Sequence, residues 1–165
     1  MTKDDIVARL KRDATYRARG NRFADFTPGQ TFAHHWGRTI TEGDNTLFSV
    51  LTMHYNPRYT NAAVALAEGH PTTPVNPLLV FNTVFGLTVE DCSEGGGPFL
   101  GVDDLVYGVP VYPGDTVTAT SETIECRESG KRPEFGIVTW ATRGVNQRGE
   151  EVVRFRRTNL VRKAR

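Results

Sequence analysis

Long apolar runs are missing from this chain of 165 residues. No stretch approaches 18 consecutive apolar residues, so no transmembrane helix and no membrane role are expected. An excess of one charge is missing too: 20 Lys and Arg stand against 19 Asp and Glu, a formal net charge of +1, which argues against a nucleic-acid binder. Cysteine is scarce. Cys92 and Cys126 form no Cys-x-x-Cys pair, so zinc and dithiol motifs are unsupported and a reducing, cytoplasmic home fits. Residues 1–20 hold no apolar core behind their basic residues, so no secretory signal is expected. No Gly-x-Ser-x-Gly elbow occurs, which leaves an α/β-hydrolase unsupported. Gly95-Gly96-Gly97 lacks the Lys-Ser/Thr of a phosphate loop and reads as a turn. No metal site is expected: His34 and His35, adjacent on an extended segment, point to opposite faces, and the same geometry separates Asp103 from Asp104.

What is present describes a soluble globular domain, 38% hydrophobic and 24% charged. The length suits a single domain, residues 1–165, that buries about 70% of its unfolded surface. Residues 1–22 read as a helical extension, in which Ile6, Val7 and Leu10 stripe a surface helix over Lys3 to Tyr16. Thr31 to Thr41 reads as an extended strand. Thr41 and Asp44 then form a capping arrangement for a helix whose apolar face is Leu47, Phe48 and Leu51, and which ends at His54-Tyr55-Asn56-Pro57. Ala62 to Ala67 reads as a short helix. Pro74 to Asp91 is apolar on nearly every face and is expected to be a buried helix. After Pro98 the period changes. Phe99 to Tyr107, Thr116 to Cys126, Phe135 to Arg143 and Glu151 to Val161 are strand-like, with turn signals between them. Four such strands imply an antiparallel sheet covered by the apolar helix, an α+β fold.

A curved antiparallel sheet around one buried helix resembles the hotdog fold. Gly37-Arg38-Thr39-Ile40-Thr41-Glu42-Gly43-Asp44-Asn45, Pro110-Val111, Gly114-Asp115-Thr116 and Phe155-Arg156-Arg157-Thr158 stand in the order and spacing of the MaoC-like hydratase/dehydratase family. The nearest resemblance is to its mesaconyl-CoA and itaconyl-CoA hydratase branch. That resemblance implies a subunit that pairs with another hotdog, as a homodimer or with an active partner subunit. It implies an acyl thioester substrate, usually a coenzyme A ester, and reversible addition of water across an α,β-unsaturated bond, with no cofactor beyond the thioester carrier. One small sheet with an unpaired edge points to pairing as well.

Adding water needs a group that moves protons and donors that polarise the thioester oxygen. R-specific hydratases of the family carry Gly-Asp-x-Asn-Pro-x-His; here the segment is Met53-His54-Tyr55-Asn56-Pro57-Arg58-Tyr59. Asn56 and Pro57 match the pattern, while His54 stands at the Asp position and Tyr59 at the His position. The catalytic candidates are therefore His54, Tyr59 and Asp44, and the last also reads as a plain helix cap. The substrate-binding candidates are Asn56, the Asn76 and Leu78 amides at the start of the buried helix, Arg58 for a carboxylate or phosphate, and Arg132 on a turn. The altered motif leaves two functions open: a hydratase with a rearranged acid/base pair, or a catalytically degenerate subunit that binds a thioester or a partner. Basic residues of the last strand, Arg154 and Arg156, share one face and read either as an anion stripe or as a solvated edge.

Overall fold

The computed structural model describes residues 2–13 and 20–163. Eleven regular elements follow in order: α1 (Lys3–Asp13), β1 (Thr31–Ala33), β2 (Arg38–Thr39), α2 (Glu42–Leu51), α3 (Ala62–Ala67), α4 (Pro77–Leu87), α5 (Val89–Cys92), β3 (Phe99–Tyr107), β4 (Thr116–Glu128), β5 (Phe135–Asn146) and β6 (Glu151–Arg162). Ile6 and Val7 of α1 are exposed, as a surface helix requires, and the extension of that helix to Tyr16 lies outside the described residues.

The strands form one antiparallel sheet, ordered β1-β4-β5-β6-β3, with β2 also on β4. Period-two alternation decides which residues point into the interior. On β4 these are Val117, Ala119, Ser121 and Thr123; on β5, Val138, Trp140 and Thr142. Ile40, Val80, Val84, Val117, Val152, Val153 and Phe155 share one cluster, and Phe26, Cys92, Val138, Trp140 and Val161 share a second. Gly144 lets the helix settle: a Cβ there would sit 2.7 Å from a Val84 methyl carbon and 3.1 Å from one on Val153. The hotdog arrangement is thus present, a sheet wrapped on one helix.

Several elements differ from expectation. The strand expected over Thr31 to Thr41 is two short pieces. Between them His34 turns inward, bonded through Nδ1 to Asp91 (2.6 Å) and through Nε2 to Ser121 (2.9 Å). The long helix begins at Pro77, after the Asn76 cap, and breaks at Thr88 into α4 and α5. Only Val80 and Val84 of α4 are fully buried, and Leu78 is exposed, so its outer face is open in this chain. Helix α2 ends at Leu51 with Thr52 as its C-cap, ahead of the His54 segment. It also buries the opposite face from the one expected: Asn45 and Ser49 are inside, while Leu47 and Leu51 are 61% and 71% exposed. Its capping box forms as expected, with the Thr41 hydroxyl accepting from the Asp44 amide and the Asp44 carboxylate accepting from the Thr41 amide.

Candidate functional site

Asn45 explains why α2 turns a polar face inward. Its Oδ1 accepts the Asn76 amide at 2.8 Å, and its Nδ2 donates to the carbonyls of Pro74 (3.2 Å) and Tyr59 (3.4 Å). One buried side chain thereby ties together α2, the segment that carries Tyr59, and the start of α4. Asn76 is wholly buried; its Oδ1 caps α4 by accepting the Leu78 amide at 3.0 Å, and its Nδ2 donates to Ser49 Oγ at 3.5 Å.

A cavity of about 210 Å³ opens beside this knot. Its walls include Arg58, Tyr59, His70, Pro77, Tyr107 and Val152. Tyr59 reaches it on a single 3-10 turn, Pro57–Tyr59, which Asn56 caps by accepting the Arg58 amide at 3.1 Å. Just before that turn, Met53 adopts φ 54°, and the His54 amide donates to Ser49 O at 2.9 Å. That left-handed step swings His54 back onto Tyr59, with ring centroids 5.6 Å apart. Burial pushes the Tyr107 hydroxyl above its ordinary range, helped by neighbouring Tyr59, so it stays a neutral donor. Arg58 Nε donates to Glu68 at 2.5 Å, and that bond raises the guanidinium pKa and lowers the carboxyl's.

The expected site residues sort as follows. Tyr59 and Arg58 line the cavity, and His54 packs behind Tyr59 rather than on the wall. Asn56 serves its own turn as a cap. Asp44 does not orient His54: it lies in the first turn of α2 and His54 beyond the helix end, with seven residues, about 10 Å of helix, between Asp44 and Leu51. It instead caps α2 and bonds Arg38 at 2.9 Å, and its carboxyl is held low chiefly by the Thr41 amide. The Asn76 and Leu78 amides are not open donors, because Asn45 and Asn76 side-chain oxygens already take them, and the Leu79 and Val80 amides turn to Asn76 O. Arg132 lines a different cavity, of about 490 Å³, with Leu100, Ile137 and Leu160. Val152 and Leu160, which mark the two cavities on β6, are eight residues apart, about 26 Å of strand. Within one chain, Arg132 is therefore remote from the Tyr59 site.

Three wall or near-wall residues went unread: His70, Tyr107 and Tyr112. His70 Nδ1 lies 3.0 Å from the Tyr112 hydroxyl. Tyr112 is fixed in turn, since its amide donates to Asp115 Oδ2 at 2.9 Å. Burial alone would raise the Asp115 carboxyl; bonds from the Tyr112 amide, Gln147 and Arg148 outweigh it and hold the carboxyl low. Only His70-Pro71 after Gly69 could have flagged the pair, as a turn, because residues 70 and 112 meet through tertiary folding alone.

The family model described as mesaconyl-CoA hydratase matches residues 1–165. The chain belongs to the mesaconyl-CoA hydratase family. Within that family it is 37% identical over 149 residues to the mesaconyl-CoA hydratase of Haloarcula marismortui, covering 90% of this chain and 42% of that one. It is 41% identical over 147 residues to the β-methylmalyl-CoA dehydratase of Chloroflexus aurantiacus, covering 87% and 41%. The chain thus spans less than half the length of these curated relatives. A crystal structure of a MaoC domain dehydratase from Chloroflexus aurantiacus superposes with a TM-score of 0.84 at 39% identity, over 88% of this chain and 41% of that one.

Proposed function

We propose that this chain of the mesaconyl-CoA hydratase family adds water reversibly to an α,β-unsaturated acyl-CoA thioester in the Tyr59 cavity. The observation that carries the reading is the meeting of Tyr59, backed by His54, with Arg58 and an apolar wall at the start of the central helix. In hydration the water oxygen bonds to the β-carbon, the π electrons move toward the thioester carbonyl, and the α-carbon takes a proton. Tyr59 and Tyr107 carry hydroxyl donors for the oxygen that gains charge, in place of the occupied helix amides. Arg58 suits a carboxylated acyl chain, because a substrate carboxylate can exchange with exposed Glu68 at the same guanidinium. No cofactor is needed for this chemistry.

The working unit in this reading is a homodimer in the cytoplasm. Strand β3 is one of the two end strands of the sheet, and it presents Phe99 and Leu100, each 52% exposed, along with Leu105 and Val106. It runs directly into the cavity wall at Tyr107 and Val109, so a second copy on that edge would close the site. Among the described residues no helix is long and apolar enough to cross a membrane, and both cysteines are free thiols. Sedimentation tests the assembly: wild type runs as a dimer, and Leu105→Lys on the edge runs as a monomer with lost turnover. A monomeric, active wild type refutes the dimer.

The activity is tested with crotonyl-, mesaconyl- and itaconyl-CoA, following loss of the conjugated thioester absorbance. Turnover is expected, about tenfold faster on carboxylated esters than on crotonyl-CoA, with Arg58→Gln erasing most of that preference. No turnover on any ester rejects hydration. It favours the second reading, a thioester-binding subunit paired with an active hotdog, which the occupied helix amides already support.

A further inference from the structure

Among the residues lining the cavity, one imidazole stands on the wall, and it is His70 rather than His54. We infer that His70 is the catalytic base of the site, with Tyr112 as its positioning residue. The inference rests on the hydration reading above.

His70 is half-buried after α3, its amide donating to Ala65 O at 3.0 Å. Its Nδ1 meets the Tyr112 hydroxyl at 3.0 Å, and its Nε2 has no hydrogen-bond partner among the described residues. This asymmetry sets the chemistry. With the proton on Nδ1, donated to the Tyr112 oxygen, Nε2 carries the lone pair and can accept a proton. The Tyr112 end is rigid: its amide is held by Asp115, and Val111 O accepts the Val75 amide at 2.8 Å, so the 110–115 turn is pinned to the start of α4. Carboxylate, turn, phenol and imidazole form one chain ending at the cavity.

The charged and titratable neighbours suit a base. Glu68, next to the Arg58 wall, interacts electrostatically with His70, which helps to hold the Glu68 carboxyl low. Arg58 and Glu68 satisfy each other at 2.5 Å, leaving little net charge from that pair. Tyr59 and Tyr107 complete the ionisable wall.

The step balances without any added reactant. Nε2 takes a proton from water as the water oxygen bonds to the β-carbon, and the π pair moves onto the thioester as an enolate. The imidazolium then returns that proton from Nε2 to the α-carbon as the carbonyl re-forms. His70 ends neutral, and the product has gained one water. A single shuttle of this kind does the work otherwise split between the two residues of an acid/base pair. His54, packed behind Tyr59, needs no direct contact with substrate.

The test uses full-length protein and the best enoyl-CoA ester for wild type. His70→Asn retains an amide at the Nδ1 position to bond Tyr112 but removes Nε2. It should lower kcat by about 100-fold or more with KM little changed. Added imidazole should restore part of the rate to the smaller variant His70→Gly, which a structural role would not show. Tyr112→Phe should lower kcat by about tenfold and leave the protein folded. Wild-type rates in His70→Asn, together with loss of rate in His54→Asn, assign the base to His54 and overturn the inference while hydration stands. A wild type inert on every ester overturns hydration and this inference together.

Discussion

Arg157→Ala is expected to destabilise the protein by about 3–5 kcal/mol, while Arg157→Met costs less than about 1.5 kcal/mol. Arg157 is fully buried in β6, with its guanidinium 4.4 Å from the centre of the Phe85 ring and 5.3 Å from that of Trp140. It acts as a wedge between α4 and the sheet. Nη1 donates to Thr88 Oγ1 at 2.6 Å and Nε to Asn159 Oδ1 at 3.3 Å, while among the described residues Nη2 has no partner and no carboxylate pairs with the group. Burial accordingly lowers its pKa, the direction expected of a cation kept from water. Alanine removes the wedge and opens a cavity under two aromatic rings, and it takes the donor from buried Thr88. Methionine fills most of the space and also removes a buried, partly unsatisfied charge, which offsets the lost hydrogen bonds. Urea denaturation of the three proteins measures both differences. A methionine variant as unstable as the alanine one would mean that the hydrogen bonds, not the packing, hold this part of the core.

Thr88 is also where the long apolar helix breaks, and the buried arginine that reaches it comes from 69 residues away. That pairing separates what could be read from the chain alone from what could not. The four long strands were legible because they are rich in β-branched residues and bounded by turn residues, and β4, β5 and β6 largely alternate in burial every two residues, so local pattern and final fold agree. The apolar segment from Pro77 was legible as the covering helix for the same reason. The face of α2 was not. Leu47, Phe48 and Leu51 give the stronger apolar stripe, yet Asn45 and Ser49 go inside because their partners, at Pro74 and Asn76, arrive from about 30 residues on. The partners of His34 were not legible either: on an extended segment beside His35, it acquires Asp91 and Ser121 only when the sheet closes. At the candidate site, the motif around Asn56-Pro57 located Arg58 and Tyr59 on the cavity. It could not reveal His70, which joins them by folding, nor that Arg132 ends at the far end of the sheet.

Asn45→Leu should cost about 2–5 kcal/mol, although leucine has the same number of side-chain heavy atoms and the same branching as asparagine. Asn45 is 3% exposed, and its bonds to the Asn76 amide and the Pro74 carbonyl are buried. Leucine strands the Asn76 amide and the Pro74 carbonyl in that interior, and each buried group left without a partner costs about 1–3 kcal/mol. Asn45→Asp separates the two halves of the role. The carboxylate still accepts the Asn76 amide but faces the Pro74 and Tyr59 carbonyls, which it cannot serve as a donor, so it should fall between wild type and Asn45→Leu. Turnover should drop further than stability does. At temperatures where Asn45→Leu remains folded by circular dichroism, the turn that carries Tyr59 has lost its tie to the start of α4, and the cavity wall loses its register with the substrate. A misplacement of about 1 Å can lower the rate by about 100-fold. A folded Asn45→Leu protein with an undiminished rate would mean that the tie serves the fold alone and that Tyr59 is positioned by its own turn.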